Sequence, residues 1–201
     1  MKKCFYELFP IPVLHVENFL SKENIDIAKK FIFSNLDKSQ EHLALYSGSS
    51  TFNNHKSFNV LRELEIQYES WRKVSLDLSR LFKEFSEFSN LNFVGIRVSW
   101  FNVQKKISLL KPHIHSPGVN IVGTLYIDVG PGSSPICFYN EFNNRKSVDY
   151  VDHNIDARRF SCEYYKFYPE SGDLIIFPAY LSHGSDEINF YDNRTVISFN
   201  S

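Results

Sequence analysis

The pattern of hydrophobic positions changes near residue 90. Before that point, apolar residues recur every three or four positions in two stretches, which is the spacing of one helix face. The first stretch follows Ser21, a residue type favoured at a helix N-cap, and the second covers roughly 62–88. The two apolar faces are Ile25, Ala28, Phe31, Ile32 and Leu36, and then Trp71, Val74, Leu78, Leu81, Phe82, Phe85 and Phe88. We expect both helices to pack these faces on the rest of the protein.

After residue 90 the pattern becomes that of short strands. Apolar runs or alternating segments are separated by turn sequences such as Ser-Pro-Gly, Gly-Pro-Gly and Glu-Ser-Gly. The predicted strands cover 93–103, 109–115, 120–129, 136–140, 160–168, 173–177, 179–185 and 195–200. About eight short strands at this spacing are typical of a jelly roll or barrel. The polar stretch 141–159 breaks this spacing, and we interpret it as a functional lid or a mobile segment.

These patterns predict one domain over residues 1–201, with a mainly β fold and N-terminal helices (α+β). Residues 1–90 would form the helical flank and residues 91–201 the β core. A short extended segment at 9–16, with two prolines, suits an edge strand.

Composition narrows the classes of function. The chain has 22 Lys and Arg against 23 Asp and Glu, so its net charge of −1 argues against a general binder of nucleic acid. No apolar run is long enough to span a membrane. Cys4, Cys137 and Cys162 lie far apart with no C-x-x-C pair, which indicates reduced thiols and a cytoplasmic protein.

Three histidines form a candidate metal site. His113 and His115 are two residues apart, so on a strand their imidazoles share one face while Ile114 lies on the other. Such a pair alone is a weak signal of metal binding. His183 strengthens it, because it directly follows the apolar strand of "GDLIIFPAYLSHG".

Arg194 opens the last predicted strand, "RTVISFN", among apolar neighbours. A buried arginine needs an anionic partner, and its guanidinium fork matches a carboxylate bidentately. We therefore expect Arg194 to hold an organic acid beside a metal bound by His113, His115 and His183.

The sequences "HIHSPGVNIVGTLYID", "GDLIIFPAYLSHG" and "RTVISFN" resemble those of the 2-oxoglutarate/Fe(II)-dependent oxygenases of bacteria and phages, in a His-x-His variant. The resemblance is clear over about 93–201 and weak before it, where "FPIPVLHVENFL" matches. It implies a double-stranded β-helix, or cupin-like jelly roll, with Fe(II) on the three histidines. It also implies that 2-oxoglutarate chelates the iron and pairs its distal carboxylate with Arg194, helped by the Tyr126 hydroxyl. O2 would then oxidise an unidentified small molecule or side chain, with release of succinate and CO2.

The resemblance has one departure, because His115 stands where that group usually has Asp or Glu. A three-histidine set is also typical of cupin-like dioxygenases that do not use 2-oxoglutarate, and it suits Zn(II). A jelly-roll binding module without catalysis is the third alternative. Arg97, Arg158 and His153 are candidate substrate contacts, whereas we interpret His15, His42 and His55 as structural or exposed.

Overall fold

The computed structural model describes residues 11–41, 45–54, 57–140 and 164–201. In this part of the chain no helix is long and apolar enough to cross a membrane. The helices are α1 (Lys22–Ser34), α2 (Val60–Gln67) and α3 (Glu69–Ser89), with 3₁₀ turns at Leu36–Lys38 and Phe52–Asn54. The strands are β1 (Leu14–Val16), β2 (Gln40–Glu41), β3 (Leu45–Ser50), β4 (Val98–Leu110), β5 (Ile121–Asp128), β6 (Ile136–Tyr139), β7 (Tyr164–Phe167), β8 (Leu174–Pro178), β9 (His183–Gly184) and β10 (Arg194–Asn200).

The described strands form two antiparallel sheets. The larger sheet has the order β1-β8-β5-β10-β4-β3-β2, and the smaller has the order β7-β6-β9. The helices pack on the outer face of the larger sheet, where Phe82 of α3 shares a core with Phe101, Leu125 and Ile197. A second apolar cluster includes Phe138 from the smaller sheet and Phe177 from the larger. The predicted mainly β fold with N-terminal helices is confirmed, while the domain boundaries stay a prediction.

The predicted helix over 62–88 is wrong in one respect, because it is two helices. Tyr68 has an extended backbone (φ −134°, ψ 119°) that separates α2 from α3. Asn59 caps α2 through its side chain, as Ser21 caps α1. Most of the apolar face of α3 is buried, but Leu81 is only partly buried and Phe88, at the end of the helix, is 81% exposed. The helix stops two residues later at Asn90, which has a left-handed backbone.

Two strand predictions also need correction. Residues 93–97 are not strand, and one strand, β4, covers Val98–Leu110 with an irregularity at Ile107, whose backbone is left-handed (φ 60°). His113 therefore lies beyond the end of β4 and contacts the smaller sheet through an isolated bridge to His183. Of the predicted strand 179–185, only His183–Gly184 is extended and paired.

Side chains of β5, β10 and the first half of β4 alternate between two environments. Every second side chain enters the core beneath the helices, for example Phe101, Leu125 and Ile197. The intervening side chains face a cavity on the other side of the sheet. This period of two is the geometry of a pleated strand, so a single sheet builds both the core and the wall of the cavity.

Candidate metal and cosubstrate site

A cavity of about 290 Å³ opens on the inner face of the larger sheet. Its wall combines the alternate side chains of β4, β5 and β10 with the three histidines and a few residues from the smaller sheet and loops. The central strands contribute Trp100, Asn102, Gln104, Val122, Thr124, Tyr126, Arg194, Val196, Ser198 and Asn200. The cavity is also lined by Phe52, Leu110, Ile114, Ser116, Ser134 and Ile136.

The three predicted histidines converge in this cavity. One nitrogen atom from each of His113, His115 and His183 lies within 4.8 Å of the others. Two backbone hydrogen bonds join His113 to His183 at 2.9 and 3.0 Å, and the His115 N–H donates to the Ala179 carbonyl at 3.0 Å. Backbone hydrogen bonds thus bring together two segments that are about 70 residues apart in sequence. The site forms only when the chain between them has closed into a loop. Ile114, between the two histidines, is exposed and lines the cavity, so it does not pack in a core behind the imidazoles.

Two of the imidazoles have a fixed tautomer. Nδ1 of His113 lies 2.9 Å from the Lys111 carbonyl, and Nδ1 of His183 lies 2.9 Å from the Leu181 carbonyl. A carbonyl can only accept, so in both rings Nδ1 carries the proton and donates it. Nε2 of each ring is left with a free lone pair, the arrangement that a metal ligand requires.

Burial keeps all three imidazoles neutral. Burial lowers the pKa of His183 well below its usual value. Burial also lowers the pKa of His113, although the hydrogen bond to the Lys111 backbone acts in the opposite direction. For His115, burial and the neighbouring His113 lower the pKa to about 4, although the Asn200 side chain opposes this shift. A divalent cation therefore meets three unprotonated rings at neutral pH.

This shift predicts an acid sensitivity in metal-free protein. The folded His115 has a pKa of about 4, while the unfolded residue titrates near 6.5, so between these values only the unfolded chain takes up the proton. Stability should therefore fall as pH falls through this window. We expect wild type to lose about 2 kcal/mol more than His115→Gln between about pH 7.5 and 5, measured by urea unfolding with a chelator present. Equal losses in the two proteins would contradict the prediction.

Gly184 allows the two histidine segments to meet. A Cβ atom at this position would lie 2.8 Å from the Leu110 carbonyl oxygen and 2.9 Å from the Pro112 nitrogen, both backbone atoms. Gly184→Ala should push β9 away from the segment that carries His113. We expect metal affinity to fall about 10- to 100-fold, measured by titration with Co(II).

Gly123→Ala is the matched control for this substitution. A Cβ at Gly123 would also clash, but with the Phe82 ring on the helix side of β5, at 2.7 Å. This variant should lose stability without losing metal affinity. If both variants weaken metal binding equally, the loss is caused by general destabilisation and not by a change in the distance between β9 and the His113 segment.

Arg194 is a buried cation that lines the same cavity as the histidines. Its side chain is 6% exposed, and in the described part of the chain no carboxylate lies within salt-bridge distance. Nη1 donates a hydrogen bond to Oε1 of Gln104, and the guanidinium carbon lies 5.4 Å from the centre of the Tyr126 ring. Burial lowers the pKa of Arg194 and raises the pKa of Tyr126 to about 12, with the neighbouring Arg194 opposing the latter shift. Arg194 is therefore positively charged and the Tyr126 hydroxyl is protonated and neutral at physiological pH.

Unpartnered polar atoms concentrate at the cavity. Among the described residues, eight buried side-chain nitrogen or oxygen atoms lack a hydrogen-bond partner, and five of these belong to residues that line the cavity. The five are Gln104 Nε2, His115 Nε2, Ser134 Oγ, Arg194 Nε and Asn200 Oδ1. Native proteins leave few such groups unpaired, so their clustering indicates a polar ligand.

The remaining predicted site residues lie elsewhere. Arg97 is exposed and does not line the cavity. Arg158 and His153 lie outside the described residues. Sequence reasoning missed Gln104 and Asn200, which reach the cavity only through the alternation of β4 and β10. The one available signal was the alternation of polar and apolar residues, as in Asn102-Val103-Gln104 and Ser198-Phe199-Asn200.

A sequence profile of the family described as "Putative 2OG-Fe(II) oxygenase" matches residues 98–200, just over half of the chain. The chain belongs to this family. The oxygenase shows no significant sequence match to a curated protein. Its matched region runs from the start of β4 to the end of β10 and so includes all three histidines and Arg194.

Solved structures show the same fold at low identity. HygX from Streptomyces hygroscopicus, with nickel, 2-oxoglutarate and hygromycin B bound, superposes with a TM-score of 0.57 at 12% identity, over 94% of the oxygenase and 82% of HygX. A Pseudomonas putida prolyl-4-hydroxylase gives 0.54 at 9% identity, over 94% and 92%. The epimerase SnoN from nogalamycin biosynthesis gives 0.61 at 12%, over 94% and 76%.

These findings confirm the predicted jelly-roll fold and class of enzyme. The oxygenase is a member of a family that uses Fe(II) and 2-oxoglutarate, so the predicted cofactors are confirmed at the level of the family. The roles of individual residues stay predictions.

Proposed function

We propose that this oxygenase is a hydroxylase that holds Fe(II) with His113, His115 and His183 and holds 2-oxoglutarate with Arg194 and Tyr126. One observation carries the proposal: three neutral imidazoles and a buried, carboxylate-free arginine face the same cavity.

The donor set fits a ferrous ion. Imidazole nitrogens suit iron, and three of them on one side leave positions for a chelating cosubstrate and O2. Nε2 of His115 is buried without a hydrogen-bond partner among the described residues, which suits a nitrogen that donates its lone pair to a metal. Because no described carboxylate joins this cluster, the ligand set leaves the full charge of the ion uncompensated. A dianionic cosubstrate would neutralise that charge, and therefore complements the site.

The other end of the cavity fits a carboxylate. Arg194 presents an unpartnered Nε, and Tyr126 brings a protonated hydroxyl. Arginine pairs with carboxylates through two parallel hydrogen bonds, which fixes orientation as well as affinity. Arg194 would thus bind the distal carboxylate and direct the keto acid end towards the histidines.

Iron and 2-oxoglutarate, when bound, supply oxidative decarboxylation to succinate and CO2 coupled to hydroxylation of a substrate C–H bond. The protein's part is to orient and to exclude water. The Phe177 ring contacts His183 edge-on at 4.6 Å, and the Phe138 ring lies 6.3 Å from it. These rings cover the side of His183 away from the cavity and restrict solvent there. Trp100 lies 6.3 Å from His115 and forms part of the wall that a substrate would contact.

The substrate is a small molecule or a side chain of a larger one. Phe52 packs edge-on against Trp100 at 5.0 Å and gives the cavity an aromatic wall. Arg97, Arg158 and His153 stay predicted substrate contacts. The cytoplasmic location and the absence of nucleic-acid partners also stay predictions from the sequence.

The test is anaerobic titration of the full chain with Fe(II) and then 2-oxoglutarate, followed by an assay for succinate after O2 is admitted. We expect a visible charge-transfer band of the chelate, and succinate formation that depends on both additions. Turnover without 2-oxoglutarate would instead identify a three-histidine dioxygenase. If neither iron nor 2-oxoglutarate binds, the chain is a binding module that retains the fold.

A further inference from the structure

Gln104 is a hydrogen-bond partner of Arg194 across two strands. The two residues are partners in the register of β4 and β10, so their side chains emerge on the same face of the sheet. Gln104 is 2% exposed, and its Oε1 accepts a hydrogen bond from Nη1 of Arg194. Both side chains line the cavity.

The chemistry of this pair is unusual because the acceptor is neutral. A buried arginine is normally paired with a carboxylate, which cancels its charge. The Gln104 amide instead satisfies one donor and leaves the positive charge of Arg194 intact. It also holds the guanidinium at Nη1, so that Nε, which has no partner, remains available.

The amide nitrogen is the second unused donor. Nε2 of Gln104 is buried and has no partner among the described residues. It is joined to Oε1 through a single carbon, so it lies next to the guanidinium that Oε1 binds. Gln104 Nε2 and Arg194 Nε are thus two unsatisfied donors on hydrogen-bonded residues that line one cavity, and an anion bound there could accept from both.

We propose that Gln104 is a specificity-determining residue that forms a carboxylate clamp with Arg194. Its oxygen positions the guanidinium, and its nitrogen donates to the distal carboxylate of the 2-oxo acid. The clamp therefore selects 2-oxo diacids over 2-oxo monoacids, since a monoacid leaves both donors unpaired in a buried site. This inference rests on the proposed use of 2-oxoglutarate.

The clamp can be tested by binding alone. The full chain is loaded with Mn(II), and calorimetry measures its affinity for 2-oxoglutarate and for 2-oxobutyrate, which lacks the distal carboxylate. Gln104→Glu places a carboxylate against Arg194 and should weaken 2-oxoglutarate binding about 100-fold. Gln104→Met removes both polar atoms at similar volume and should weaken it about tenfold. Both variants should bind 2-oxobutyrate within about threefold of wild type.

Gln67→Glu, at the exposed end of α2, is the matched control and should bind both acids like wild type. If 2-oxoglutarate binds both Gln104 variants as tightly as wild type, the clamp is overturned. Equal losses for both acids would overturn it too, because they would indicate a merely structural residue. Should Gln104→Glu fail to fold, Gln104→Met decides alone. Absence of 2-oxoglutarate binding to wild type would instead overturn the proposed function, and the clamp with it.

Discussion

His183→Ala should abolish iron binding and succinate formation together. The His183 ring is nearly fully buried and has a fixed tautomer, so its loss removes a preorganised ligand that the cavity offers no described residue to replace. Loss of an outer hydrogen-bond partner of a ligand typically costs 10- to 100-fold in metal affinity, and loss of the ligand itself should cost more than about 100-fold. Titration with Co(II), followed by its visible absorption, measures this directly.

His115→Asp is the informative counterpart to that variant. The substitution replaces a neutral ligand with a carboxylate, the residue type that the family usually has at this position. The variant should retain metal binding. His115→Ala should not retain it. If His115→Ala binds Fe(II) like wild type, the site has only two protein ligands, and the assignment of His115 is wrong.

Arg194→Met should remove 2-oxoglutarate binding without harming the fold. Breaking one side of a buried ion pair costs about 3–5 kcal/mol, so affinity for 2-oxoglutarate should fall at least about 100-fold. In the protein without 2-oxoglutarate, however, Arg194 is a buried cation with no described carboxylate, which is itself a destabilising arrangement. The free energy of unfolding of Arg194→Met should therefore equal or exceed that of wild type.

Arg194→Lys separates charge from geometry. Lysine keeps the positive charge but loses the planar fork, so we expect weakening of about tenfold, between wild type and Arg194→Met. Metal binding in the absence of 2-oxoglutarate should be unchanged in both variants, which calorimetry with Mn(II) can verify. Reduced stability of Arg194→Met with normal 2-oxoglutarate affinity would show that Arg194 is structural.

The candidate ligands were predictable from sequence because each belongs to a short local pattern. His113 and His115 share a two-residue spacing, His183 ends an apolar run, and Arg194 begins one. The burial and the facing of residues in a short apolar run depend on nearby residues, so the sequence alone is sufficient to find these four candidates. The mainly β second half was predictable for the same reason.

Gln104 was not predictable, because its role depends on a contact across 90 residues. The register between β4 and β10 places it opposite Arg194, and no local pattern specifies that register. Strand β3 was missed for a related reason. Its sequence, Leu-Tyr-Ser-Gly-Ser-Ser, has low intrinsic strand propensity, and pairing with β4 at Ser49 and Val103 imposes the extended form.

The alternation of β4, β5 and β10 has a consequence for how the protein can diverge. Neighbouring positions on one strand, such as Ile197 and Ser198, belong to compartments on opposite faces of the sheet: Ile197 packs in the core beneath the helices, and Ser198 lines the cavity. Substitutions in separate compartments are expected to combine additively. The side chains that line the cavity can therefore change to bind a new substrate, while the side chains that face the helices continue to stabilise the fold. Related proteins that diverge in this way would keep the same backbone fold at very low sequence identity.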